Sequence, residues 1–428
     1  MSVVIWVLSI VVFVLALAVT ALAYVLWSTS RVPEGSWAAL DAQDTRDPGF
    51  ARMVAHLCLD QACDGNSVTL LQNGDGFWPA LIDAIGAAES SVHFETFLWK
   101  TGELSGALVD AFVERARAGV EVRLIVDAEG GKRMTQAERA RLREAGVELQ
   151  LYRRASFEHL GSYNRRDHRK LAVIDGSVGF CGGHCVTDAW LGDAQDREHN
   201  RDLSVRLEGP IVGKLQAAFS ENWTETSGEL LAKPAYFPEL GAAGDVTMHL
   251  AYLGDQRRVT AVKTLYVLAV EAAQERLDIM NPYFLPDERA EDALRRAVER
   301  GVRVRVMTPT EGATDNAAVL HAMMAVLPRL LDAGVEVYGY DRTLLHQKTI
   351  AVDGCWAIVG SVNFDARSFG INEEIAVSIF DPSLAVTLEE AFDADLEHCV
   401  DYSEVALRDR SLPDALTDRL AWGIRDQL

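Results

Sequence analysis

The chain opens on an unbroken apolar run and then settles into short apolar strands alternating with amphipathic helices. Residues 1–30 carry no charged side chain, no glycine and no proline, and Val3 to Trp27 are nearly all aliphatic or aromatic. Such a run is long enough to cross a hydrocarbon core of about 30 Å. No basic segment precedes it, as a cleaved signal would require, so the pattern predicts a transmembrane anchor over 1–31. The first charge, Arg31, lies on its carboxyl side, which places the remaining chain on the cytoplasmic face of the cell membrane as a single-pass protein. Beyond the anchor, apolar runs at Ser91 to Leu98 and Arg276 to Met280 read as strands. The stretches Leu104 to Ala118 and Glu288 to Arg300 repeat apolar residues at helical spacing. Gly119 and Gly301 follow those helices directly, where a helix hands over to the next strand.

The same text occurs twice. AGVEVRLIVD (118–127) answers RGVRVRVMTP (300–309), AGVELQLYRR (145–154) answers AGVEVYGYDR (333–342), and HRKLAVIDG (168–176) answers HQKTIAVDG (346–354). A duplicated order of strands and helices predicts two similar α/β domains, each a β-sheet flanked by helices, related by a pseudo-two-fold axis. The predicted limits are an anchor at 1–31, a linker at 32–66, a first domain at 67–234, a join at 235–245 rich in Gly and Pro, and a second domain at 246–428.

Composition narrows the chemistry. With 41 Lys and Arg against 63 Asp and Glu the net charge is −22, which opposes attachment to nucleic acid through bulk charge. Six scattered cysteines suit free thiols better than a disulfide framework; Cys58 and Cys63 would pair only if the body faced an oxidising space. Cys181, His184, Cys185 and His199 crowd one region, but their spacing fits no standard zinc pattern. No metal and no cofactor is expected.

The most informative text is H-x-K-x-x-x-x-D, present as His168, Lys170 and Asp175 and again as His346, Lys348 and Asp353. Side chains alternate along a strand, so each His shares a face with its Lys. An imidazole beside an ammonium suits an anionic phosphodiester: lysine neutralises phosphate oxygens, one imidazole can attack phosphorus and the other can protonate the departing oxygen. Asp175 and Asp353 lie about 23 Å along a straight strand from their histidines at about 3.3 Å per residue, and each precedes a glycine, so they are expected to close the strand turn. The acids expected to orient the imidazoles are Asp202 for His168 and Glu374 for His346, each in an Asn-x-acid segment beginning at Asn200 or Asn372.

These twin motifs resemble the signature of the phospholipase D superfamily. The likeness spans about Ser67 to Pro382, and HRKLAVIDG with its following glycines, SVHFETFLWKTGELSGAL, NPYFLPDE and GSVNFDARSFGINEE are most similar to the bacterial cardiolipin synthase branch. The resemblance implies a membrane-bound phosphatidyltransferase that needs no metal. One phosphatidylglycerol loses glycerol to form a phosphohistidine, and a second accepts the phosphatidyl group. It implies His168 as nucleophile, His346 as acid and base, and Lys170, Lys348 and Asn363 on the phosphate, with Asp202 and Glu374 behind the histidines. Glu95, Asn200, Asn372 and Ser361 match further positions near such a site. One departure is Cys185 where the family carries Asn, matching Asn363 in the second half. Either that half binds phosphate without an amide, or His184 replaces it. The single span is another departure, since many relatives carry two.

Two rival enzymes remain compatible with these residues: a phospholipase D, in which water accepts the phosphatidyl group, and a nucleic-acid phosphodiesterase, which the net charge opposes. A scaffold that lost activity through Cys185 is the non-enzymatic reading, opposed by the completeness of both His-Lys pairs and both acids. The expected partners are a phospholipid, phosphatidylglycerol first, and the membrane; oligomeric state is open.

Overall fold

The computed structural model describes residues 6, 9–20, 44–153, 164–252, 260–403 and 412–425. Residues 9–20 are helical with exposed apolar side chains. Among the described residues no helix is long and apolar enough to cross a membrane, and the rest of the expected anchor lies outside them, as does His159.

The repeat is written into strand order. The first half contributes β1 (Cys63–Gln72), β2 (Ser91–Thr96), β3 (Glu121–Asp127), β4 (Glu148–Tyr152), β5 (Leu171–Ile174), β6 (Val178–Gly182) and β7 (Leu203–Glu208). The second contributes β8 (Val246–Tyr252), β9 (Arg276–Met280), β10 (Arg303–Pro309), β11 (Glu336–Tyr340), β12 (Thr349–Val352), β13 (Trp356–Gly360) and β14 (Ile375–Phe380), then a short β15 (Cys399–Asp401). All fifteen form one sheet, ordered β15-β11-β10-β9-β12-β13-β14-β8-β1-β7-β6-β5-β2-β3-β4. Read outward from the central β1–β8 pair, the two halves have the same order, as a two-fold axis requires. In each half, three parallel strands (β2 to β4; β9 to β11) adjoin an antiparallel set. The parallel strands are joined by helices, including Glu103–Arg117 and Glu288–Glu299. Gly119 and Gly301, both at φ 94°, end those two helices in the left-handed region that a side chain would resist.

Helices cover both faces. Ile211–Ser227 and Pro382–Asp395 bury Phe219, Trp223, Leu384 and Leu388 in a core shared by the two halves, together with Val205, Met248, Val359 and Val377 of the sheet. The opposite face carries a separate core for each half. The expected linker at 32–66 is corrected in part. Residues 32–43 lie outside the described set, but 44–66 are folded: Pro48–Leu57 is a helix capped by Asp47, and its Phe50 and Val54 enter the core of the second half. Each such apolar side chain contributes about 1.5–3 kcal/mol when buried. β1 then starts within the expected linker and supplies the strand that joins the halves.

Candidate active site

Four segments cross between the halves and build the site. Arg201 N–H donates to Leu344 O and His346 N–H to Arg201 O, at 2.9 and 2.8 Å; His168 N–H donates to Glu373 O and Glu373 N–H to Arg166 O, at 2.9 and 2.8 Å. These straps seat each acid-bearing segment against the other half's histidine. The expected pairing is therefore corrected. His168 Nδ1 lies 2.9 and 3.0 Å from the Glu374 carboxylate oxygens, and His346 Nδ1 lies 2.8 Å from Asp202 Oδ2. With Nδ1 engaged, each ring keeps Nε2 for chemistry.

Each lysine turns back onto the backbone of its own histidine. Lys170 Nζ donates to His168 O at 2.7 Å and Lys348 Nζ to His346 O at 2.5 Å. Phe97 packs edge-on to His168 and Trp190 edge-on to His346, with centroids 5.2 and 4.9 Å apart. Trp190, which no sequence motif singled out, also donates its indole N–H to Asp202 Oδ2 at 2.7 Å, and the Leu203 N–H donates to Asp202 Oδ1 at 2.7 Å. Gly183 is needed there, because a Cβ would lie 2.2 Å from Asp202 Oδ1. In the other half the corresponding residue is Ser361, whose hydroxyl donates to Glu374.

Burial and the positive neighbours Lys170, Lys348 and His346 hold His168 well below the ordinary imidazole range, so it is neutral. Burial and Lys348 also lower His346, against an upward pull from Asp202. Burial would raise the Asp202 carboxyl, but His346, His184 and Lys348 outweigh it and keep it ionised. Glu374 goes the other way: burial pushes it up to about 7 despite Lys170 and Ser361. Burial and Lys170 lower Lys348 to about 8, with Asp202 opposing. A cluster of this kind, with two buried lysines beside a neutral His168, is set to receive an anion.

The other expected residues separate clearly. Asn363 is buried with an amide oxygen that has no partner among the described residues, and so is Asn372. Asn200 is buried behind Trp190, its N–H donating to Ala189 O at 2.7 Å. Cys185 is buried among apolar side chains, and its thiol is raised by burial against the pull of Lys170. His184 does not replace the missing amide: its ring stacks on Phe77 at 4.3 Å and its Nδ1 meets Ser204 Oγ at 2.8 Å. Glu95 is corrected as a site residue. It pairs in register with Leu171 and so shares that face, opposite Lys170; its carboxylate accepts from Asn222 at 2.6 Å and neighbours Arg169. Asp175 and Asp353 both take positive φ at the strand turns. Asp175 accepts the N–H groups of Glu89, Ser90 and Ser91, and Asp353 those of Gln274, Glu275 and Arg276. Each thereby pins a turn to the start of β2 or β9. All six cysteines are free thiols, and among the described residues no His, Cys, Asp and Glu cluster could hold a metal ion.

The fold is shared with the crystal structure of a phosphatidylserine synthase from Haemophilus influenzae, with a TM-score of 0.67 at 13% identity over 95% of this chain and 99% of that one. A cardiolipin synthase of Oceanobacillus iheyensis is 32% identical over 359 residues, 83% of this chain and 74% of that protein. The major cardiolipin synthase ClsA of Bacillus subtilis is 34% identical over 336 residues, 78% of this chain and 69% of that protein. The family model described as cardiolipin synthase, PLD-like domain, matches residues 81–223 and 266–396, so each match carries one His-Lys motif, and the chain belongs to that phospholipase D-like family.

Proposed function

We propose that the protein is a membrane-bound phosphatidyltransferase that makes cardiolipin and glycerol from two phosphatidylglycerol molecules. The observation that carries this reading is the pair of imidazoles, each held through Nδ1 by a carboxylate of the opposite half and each with a lysine bonded to its own backbone carbonyl. The relatives named cardiolipin synthase support the lipid substrate, and the apolar amino end supports anchoring at the cell membrane by one span, with both repeats on the cytoplasmic side.

His168 is the nucleophile. Being neutral, it offers an Nε2 lone pair to the donor phosphorus while Nδ1–H stays on Glu374. His346, facing an ionised Asp202, carries the proton that the departing glycerol oxygen takes up. The P–O bond to glycerol breaks as the P–Nε2 bond forms, leaving a phosphatidyl-histidine. In the second half His346 removes the proton of the acceptor hydroxyl, whose oxygen attacks phosphorus and releases His168. Lys170, Lys348 and Asn363 neutralise the phosphoryl oxygens. The test is purified protein in detergent with phosphatidylglycerol alone, products read by mass spectrometry. Cardiolipin plus glycerol, absent with His168→Ala and His346→Ala, is the expected result. Phosphatidic acid without cardiolipin would make water the acceptor and the protein a phospholipase.

A further inference from the structure

Beyond Trp190, which packs on His346, lies a cleft that the scheme above does not use. It encloses about 360 Å³, within the range of about 300–1,000 Å³ usual for small-ligand sites. Its inner wall is the scaffold of His346: Trp190, Asn200 and Leu344, two residues before that histidine. Its outer wall carries Lys100 and Arg133 from the first half, facing the Gly312 to Asp315 loop of the second. Lys100 and Arg133 lie side by side in a parallel bridge, with Thr101 N–H donating to Arg133 O. Both are exposed, and among the described residues neither has a carboxylate partner. The neighbouring Lys132 does, on Glu129. The other charged groups of the cleft are engaged: Arg197 with Gly312 O and Asp341, and Asp315 with the Tyr283 hydroxyl. In a chain of net charge −22, two neighbouring cations without a carboxylate partner leave their donors open to an anion.

We propose that Lys100 and Arg133 hold the phosphate of the acceptor lipid. This rests on the cardiolipin synthase reading. A phosphatidylglycerol acceptor attacks through the terminal hydroxyl of its glycerol, and its own phosphodiester lies three carbons farther along. That second phosphate needs positive charge outside the His-Lys cluster but beside the histidine that takes the hydroxyl proton. The cleft meets both conditions, since it opens on Trp190 and the segment leading into His346. The donor lipid brings only the phosphate that reacts and has no use for these two cations. They therefore favour a phospholipid acceptor over water or a neutral alcohol.

The test partitions the products of the full-length protein in mixed micelles of phosphatidylglycerol with a neutral alcohol, ethanol, as competing acceptor. Because both side chains are exposed, Lys100→Ala, Arg133→Ala and the double charge reversal to Glu leave the fold intact. The double variant is expected to lower cardiolipin formation at least about tenfold, the loss of charge-assisted hydrogen bonds to one phosphate, while phosphatidylethanol and phosphatidic acid stay at the level of the unmodified protein. Free sn-glycerol 3-phosphate is expected to inhibit cardiolipin formation in the unmodified protein and not in the variant. Cardiolipin unchanged, or all three products falling together, would overturn the subsite while leaving the synthase reading in place. Phosphatidylethanol without any cardiolipin from the unmodified protein would instead sink the synthase reading itself, and the subsite with it.

Discussion

The two halves of the site carry the same motif but do not hold their histidines alike. His346 faces Asp202, a carboxylate fixed by the Trp190 indole and the Leu203 N–H and kept ionised by its positive neighbours. His168 faces Glu374, which is supported by a serine hydroxyl and raised by burial to about 7. Asn363 of the second half has Cys185 as its counterpart in the first. A duplicated sequence thus yields an asymmetric pair: one imidazole whose ionised carboxylate pulls its pKa up against burial, and one that burial and its positive neighbours keep neutral. The duplication supplies the geometry, and the residues that differ supply the division of labour between acid and nucleophile.

The division is most severely tested by separating the two chemical steps. With a donor whose leaving group is an acidic phenol, the general acid is no longer needed, so His346→Ala should still form the covalent intermediate. On a lipid donor the same variant should lose about 10²–10⁴-fold, the usual worth of general acid catalysis. His168→Ala should form no intermediate from either donor. Intact-mass measurement of the phosphatidyl adduct checks this, and an adduct retained in His168→Ala would reverse the assignment.

The carboxylates should differ next. Asp202→Asn removes the charge that stabilises the His346 imidazolium and is expected to lower kcat by about 10³–10⁴-fold, by analogy with the acid of a serine-protease triad. Glu374→Gln replaces a carboxyl already near neutrality and keeps an acceptor for Nδ1–H. Its expected loss is about 10–10²-fold. Equal losses, measured as kcat on phosphatidylglycerol, would dissolve the distinction between the halves.

This contrast was only half legible in the chain. The twin motifs, the strand and helix alternation and the turn-closing roles of Asp175 and Asp353 follow from local spacing, because each depends on residues near in sequence or on strand periodicity. The partner of each histidine does not. Residues 168 and 374 are 206 positions apart, and what joins them is a backbone strap between halves that no periodicity announces. The placement of Asp202 and Glu374 near their own motifs made the within-half pairing look natural, yet the straps Arg201 to Leu344 and His168 to Glu373 exchange them. Trp190 was hidden for a related reason: its counterpart at the motif offset is Ser368, a different residue type, so the repeat does not announce the indole that holds Asp202. Glu95 failed differently. It was offered on its likeness to an acidic strand position, but strand alternation and the register with Leu171 turn it to the helix-covered face, away from Lys170.

Protonation sharpens the comparison further. His168 must be neutral to attack, and its depressed pKa keeps it so well below the ordinary imidazole range; acid should therefore inhibit late. The proton that His346 must deliver is lost first, below the ordinary imidazole range, because burial and Lys348 lower its pKa; Lys348 loses its charge as pH rises through about 8. The plot of kcat/KM against pH should be highest at acidic pH and fall in two stages, the second above about 8. In Lys348→Arg the guanidinium keeps its charge there, so the second stage should disappear and the fall that remains reports His346 alone. A first stage unchanged by Asp202→Asn would contradict its assignment to His346, since removing the carboxylate lowers the imidazole further.

The smallest expected effect concerns the residue that breaks the repeat. Cys185 sits among Phe94, Trp99 and Val186 in the apolar core of the first half, and a thiol is a weak donor beside an amide. If the phosphate draws its amide contact from Asn363 alone, Cys185→Ala removes little more than packing and should change kcat/KM by less than about threefold. Asn363→Ala should cost about tenfold, the worth of a hydrogen bond to a charged group. Thermal unfolding separates the two causes of any loss: Cys185→Ala should move Tm downward through the small cavity it leaves, with activity per folded molecule retained. A large fall in kcat/KM at unchanged Tm would instead put the Cys185 thiol in contact with substrate, and the first half would then hold phosphate by a group that its sequence counterpart gives no reason to expect.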